Sequence, residues 1–107
     1  GFSIASERLV SGGFLETEGY IEAAIDYSRN VPYGFRFINK NNPTLALKTG
    51  DHLLWNVGAY GHIAYVERVY DTNNVQVADA NWVGPGVVQM RNVTLDQSSI
   101  IGWLSRL

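Results

Sequence analysis

The sequence contains no cysteine and only two histidines. Without a thiol there can be neither a disulfide nor a thiolate metal site, and the redox compartment leaves no mark on the composition. Two histidines unsupported by cysteine do not make a structural zinc centre, so no metal and no cofactor are expected. Long apolar runs are also missing. None approaches the roughly 20 residues that cross a bilayer, so no membrane span is expected, and the first ten residues do not form a signal peptide. Charge is sparse and balanced: eight Lys and Arg stand against ten Asp and Glu, for a net charge of −2. The basic residues are scattered rather than gathered into a stripe, which argues against nucleic acid as a partner. There is no initiator methionine, and the expectation is an excised domain or processed chain, with any export signal to be sought outside the sequence.

What is present is a globular mixture. Hydrophobic residues make up 46% of the 107 positions and charged residues 17%, enough apolar surface to offset the entropy of ordering one backbone but too little chain for two cores. A single domain over residues 1–107, acting as a monomer, is expected.

Along the chain, apolar residues at positions 2, 5 and 9 recur at helical spacing before Gly12-Gly13, which predicts a helix over about 2–10. Tyr20, Ala23, Ala24 and Tyr27 predict a second helix over about 16–29. Pro32, Gly34 and the polar run Asn39 to Pro43 mark residues 30–43 as a connecting loop. The character then changes. Leu53-Leu54-Trp55, Ile63 to Val66, Val75 to Val77, Val87-Val88 and Ile100 to Leu104 are short β-prone runs separated by turn residues. Helices first and strands after predict an α+β domain, with N-terminal helices packed on an antiparallel β-sheet.

The most informative stretch is Gly61-His62-Ile63-Ala64-Tyr65-Val66-Glu67, followed by a turn at Asp71-Thr72-Asn73-Asn74 and a run carrying Asp79-Ala80-Asn81-Trp82. It reads as a β-hairpin. If the turn holds an even number of residues, each even position of the first strand opposes an odd position of the second, and His62, Asp79 and Asn81 share one sheet face. An imidazole flanked by a carboxylate and an amide is the arrangement by which a nucleophile is deprotonated and its base oriented. Spacing alone favours the plainer reading, a strand-edge histidine and two turn-favouring polar residues. His52, in contrast, alternates with Leu53 and Trp55 and is expected on the opposite face, as a structural or solvated residue. Trp55 and Trp103 are expected in the core, and Trp82, within a Gly- and Pro-containing turn, either in the core or at the rim of a cleft as a substrate-binding residue. The Asp71 turn lacks the spacing of a calcium loop.

Taken together, Lys48-Thr49-Gly50-Asp51-His52-Leu53-Leu54-Trp55, Gly61 to Glu67 and Asp79-Ala80-Asn81-Trp82 resemble the CHAP family, the cysteine, histidine-dependent amidohydrolases and peptidases. The resemblance implies a papain-like α+β fold and cleavage of peptidoglycan, at a stem-peptide amide or a cross-bridge. It casts His62 as general base, Asp79 in the place of an acidic residue that is often Glu, and Asn81 as the asparagine after it. The family's opening helix resembles C-T-W-Y-x-x-x-R, and setting its arginine on Arg8 puts the nucleophilic cysteine at Gly1. There this sequence departs from the pattern. A glycine cannot attack a carbonyl, so the chain as written is expected to be inactive, or else to be a binding module for cell-wall peptide or a protein partner that keeps the fold. Ser3 and Ser6 are poor substitutes, because on a helix Ser3 points away from position 1 and neither sits in a strand-to-helix elbow. The implied setting is secreted, cell-wall associated or phage-derived.

Overall fold

The structure, a computed structural model, describes residues 24–58, 61–80 and 88–107. Among these residues six strands form one sheet: β1 (Phe35–Asn39), β2 (His52–Trp55), β3 (His62–Val69), β4 (Asn74–Ala80), β5 (Val88–Thr94) and β6 (Ile100–Arg106). Their order is β1-β6-β2-β3-β4-β5, and every neighbouring pair is antiparallel. Strands β2 to β5 form a meander in chain order, and β6 returns to insert between β1 and β2.

The expectation of an α+β fold with N-terminal helices is overturned. Among the described residues there is no α-helix, only a 3-10 turn at Ala24–Ser28, and the architecture is nearly all antiparallel sheet. The helix expected over 2–10 lies outside the described residues, as does most of the one expected over 16–29. In the described remainder of that second segment, the chain tightens through Arg29 N–H to the Asp26 carbonyl and is brought to an end before Pro32, whose ring disfavours helical geometry at Val31. Tyr27 carries this turn onto the sheet, buried in one cluster with Phe35, Leu54, Ile63 and Leu104.

The loop expected over 30–43 is also corrected, because it contains β1. Pro32, Gly34 and the Asn39 to Pro43 run are turn residues, but Phe35, Phe37 and Ile38 between them have apolar surface to bury. Among the described residues they do so as an edge strand paired with β6. Strand β5, foreseen only at Val87-Val88, runs on to Thr94.

Both faces of the sheet are covered, which explains the unbroken apolar runs of β2 and β3. Leu53 and Leu54, adjacent in the strand and both fully buried, point to opposite sides. Leu53 joins Trp55, Ala64, Val66, Val77 and Trp103 in the larger cluster. Leu54 joins the Tyr27 cluster on the other face. The tryptophans expected in the core, Trp55 and Trp103, are both in it.

The β3–β4 hairpin does not have the even turn on which the shared face was argued. Val69 pairs with Val75 and Arg68 with Gln76, odd with odd and even with even, but beyond a bulge between Val66 and Arg68 the pairing becomes Val66 with Val77 and Tyr65 with Ala78. Glu67 is the extra residue, and a bulge of this kind changes which side chains oppose one another. The turn itself is organised by Asp71, whose Oδ1 accepts the backbone N–H groups of Asn73 at 2.8 Å and Asn74 at 2.9 Å. No helix among the described residues is long and apolar enough to cross a membrane.

Candidate functional site

His62 opens β3 directly across from Trp55 of β2. Being first in its strand it sits at the margin of the larger core cluster, and it keeps 9% of its surface exposed. Its imidazole lies 5.3 Å from the Trp55 ring, centroid to centroid, tilted by 50°. The indole N–H of Trp55 is in turn anchored on Oε1 of Gln97 at 3.1 Å.

Asp79, near the end of β4, is completely buried. A buried carboxylate is costly unless its oxygens are satisfied, and here both are. Oδ1 lies 2.5 Å from Nε2 of His62. Oδ2 accepts Nε–H of Arg91 at 2.5 Å, and Nη2 of the same guanidinium reaches Oδ1 at 3.2 Å. Arg91 comes from β5, where it opposes Val77 and stands one diagonal from Asp79, whose own partner is Gln89. The guanidinium carbon also lies 5.6 Å from the centroid of the Trp55 ring, within the range of a cation–π contact. Trp55, His62, Asp79 and Arg91 thus close a ring of contacts across four adjacent strands.

The electrostatics follow from this geometry. Burial, the largest single influence on Asp79, pushes its carboxyl group up, but the hydrogen bonds from His62 and Arg91 together with the arginine charge outweigh it, and the group lies below the usual carboxylate range. Asp79 is therefore ionised at neutral pH and can only accept. The proton in the His62 contact must then sit on Nε2, which in neutral imidazole leaves the lone pair on Nδ1. An imidazole held in one tautomer by a buried carboxylate is suited to take a proton from an attacking group and return it to a leaving group.

Of the residues read from sequence as a site, the structure brings His62 and Asp79 together. Gly1, Asn81 and Trp82 lie outside the described residues. His52 is on the face opposite Leu53 and Trp55, as alternation requires, but it is not solvated: it is fully buried, between the rings of Phe35 and Tyr65. Burial, followed by the nearby charge of Arg106, lowers its pKa to about 3.

Arg91 was not anticipated. Its only signal in the sequence is a cation in a strand, alternating with Gln89 and Val93 on one face. Its register against β4 depends on a connection containing Gly84-Pro85-Gly86, whose length does not fix the pairing. The contact of Trp55 with the imidazole was likewise hidden behind its role in the core.

The CHAP domain profile matches residues 5–81, well over half of the chain, and the chain belongs to the CHAP domain family. His62, Asp79 and Asn81 fall inside the matched span, whereas Gly1 and Trp82 fall outside it. Among curated proteins, the chain is similar to staphylococcal secretory antigen ssaA2 of Staphylococcus aureus, 42% identical over 53 residues that cover 49% of this chain and 20% of that protein. It is also similar to staphylococcal secretory antigen SsaA of Staphylococcus epidermidis, 38% identical over 48 residues covering 44% of this chain and 19% of the relative. The matches thus span about a fifth of each relative.

Proposed function

We propose that this chain is a peptidoglycan-directed domain of the cysteine–histidine amidohydrolase or endopeptidase type, acting on a stem-peptide amide or a cross-bridge. Its nucleophile position is occupied by Gly1. The observation that carries the reading is the contact of His62 Nε2 with the buried, arginine-held carboxylate of Asp79. In this reading His62 Nδ1 is the general base and later the acid that protonates the leaving amine. Asp79 orients the ring, and Asn81 contributes an amide beside it. With a cysteine at position 1, its thiolate would form the bond to the scissile carbonyl carbon, the amine would leave with the proton from His62, and water would release the acyl group. The names of the relatives favour a secreted setting.

A second reading has a specific observation in its favour. The sequence contains no cysteine, so the chain as it stands cannot run this route, and it would then bind cell-wall peptide or a protein partner without turnover.

The experiment that separates them is Gly1→Cys in a chain extended by a few native upstream residues, alone and combined with His62→Ala. The enzyme reading expects a thiol pKa below the free-cysteine value of about 8.5, read from the pH dependence of alkylation, rising again on His62→Ala, together with hydrolysis of cell walls by the single variant. An ordinary thiol pKa indifferent to His62 removes the proposed pair and leaves the binding reading.

A further inference from the structure

The His62–Asp79 pair can orient a base only if Asp79 itself is held, and among the described residues the side chain that holds it besides His62 is Arg91. Asp79 is fully buried, and its carboxylate could turn about its final torsion to present either oxygen, or neither, to Nε2. What fixes it is a fork of two donors from one side chain: Nε of Arg91 on Oδ2 at 2.5 Å and Nη2 on Oδ1 at 3.2 Å. A guanidinium is planar and delivers its donors at fixed angles, so a two-point contact sets the plane of the carboxylate as well as its charge. Oδ1, which takes the weaker of the two bonds, is the oxygen turned toward His62.

Arg91 is itself positioned. Its backbone place opposite Val77 is set by the β4–β5 pairing, and its guanidinium lies over the same Trp55 ring that His62 packs against. Among the described residues, the groups bonded to Asp79 are His62 from β3 and Arg91 from β5, with the Trp55 ring of β2 against both.

We propose that Arg91 is a positioning residue of this site, fixing the orientation and charge of the Asp79 carboxylate so that His62 is kept in the tautomer with its proton on Nε2. The inference rests on the reading of His62 as a base. A residue acting this way touches no reacting atom, and its removal should change the state of the imidazole before it changes anything else.

The test uses the Gly1 chain, in which the two histidines are separable by nitrogen-detected NMR, with His62→Ala for assignment. In the starting protein His62 should show a single tautomer. In Arg91→Gln the signal should become a mixture of tautomers, and the carboxyl midpoint of Asp79, followed by carbon NMR, should rise by about one pH unit or more. Arg91→Lys keeps the charge and loses the fork, so the midpoint should stay close to its starting value while the tautomer mixture persists. A folded Arg91→Gln protein with an unchanged tautomer and midpoint would overturn the inference. Should that variant fail to fold, Arg91→Lys decides it, because a single tautomer there would show that the fork is not what orients the pair. The two readings fail separately. A Gly1→Cys thiol that stays activated by His62 despite Arg91→Gln removes the role of Arg91 alone, and an ordinary thiol in the presence of an intact, Arg91-dependent tautomer removes the hydrolase reading.

Discussion

Nε2 of His62 reaches Oδ1 of Asp79 at 2.5 Å, although the turn between their strands is in the register that would keep them apart. Carried through unbroken, the pairing of Val69 with Val75 and Arg68 with Gln76 would set Asp79 across from Tyr65 and turn His62 to the other face. The extra residue at Glu67 shifts the pairing by one. The site therefore depends on a bulge one turn-length away from it, a common use of this irregularity beside functional residues.

Removing the charge of Asp79 should cost stability in a pH-dependent way. At pH 7, Asp79→Asn leaves Arg91 partly buried beside a neutral amide, and the expected loss is about 3 kcal/mol, typical of breaking a buried pair from one side. The folded carboxyl has a lowered pKa, so the unfolded chain binds its proton first as pH falls. The stabilisation is fully present above the unfolded value of about 3.9 and declines as pH drops below it toward the folded value. Urea denaturation of both proteins at pH 7 and pH 3 should show the deficit narrowing at the lower pH. An equal deficit at both would contradict the assignment of an ionised, bonded Asp79.

Gly102 should not accept a side chain. It lies in β6 between Leu54 of β2 and Asn39 of β1, and a Cβ added there would fall 2.1 Å from the backbone carbonyl oxygen of Ile38 and 2.8 Å from the ring of Phe37. The ring can move, but the carbonyl belongs to the β1–β6 ladder. Gly102→Ala is expected to destabilise by about 3 kcal/mol, the upper part of the range for overpacked sites. Denaturation midpoints, with an exposed control such as Thr72→Ala that should change little, would check it.

Much of this was legible because central strands announce themselves. Leu53 to Trp55, Ile63 to Val66 and Val75 to Val77 are largely apolar runs, too short for helices, and bounded by Gly58, Gly61 and the Asp71 turn. His62 and Asp79 are legible as a pair through their motif, but an even turn is the simplest route to a shared face, whereas the chain reaches it by an odd turn and a bulge. No glycine marks that bulge, since Tyr65-Val66-Glu67-Arg68 reads as ordinary strand. The other misses share a cause. β1 was masked by the Pro, Gly and Asn residues flanking Phe35 to Ile38, which signal turns locally while the cross-sheet pairing with β6 decides the outcome. The role of Arg91 depends on the β4–β5 register, a long-range quantity that no local pattern carries.

His52 gives the last prediction, at a pH distinct from that of Asp79. It is fully buried, edge-on to Phe35 at 6.0 Å and Tyr65 at 5.3 Å, and burial together with the Arg106 charge lowers its pKa to about 3. In the unfolded chain the same imidazole titrates near 6.5. Below that value the unfolded state takes up a proton that the folded state refuses, so acidification favours unfolding. The contribution of neutral His52 is fully present above about pH 6.5 and is lost as pH falls toward 3, with a slope approaching about 1.4 kcal/mol per pH unit. This loss begins well above the window of Asp79, so the two separate in a pH series. His52→Leu keeps an apolar side chain in the site and removes the titration. Comparing unfolding free energies of the two proteins from pH 8 to pH 4, the difference should be flat at the alkaline end and shift steadily in favour of the leucine variant below about pH 6. A difference that stays constant across the whole range would mean that His52 accepts a proton in the folded protein, and that the cluster around Tyr27 and Phe35 admits water.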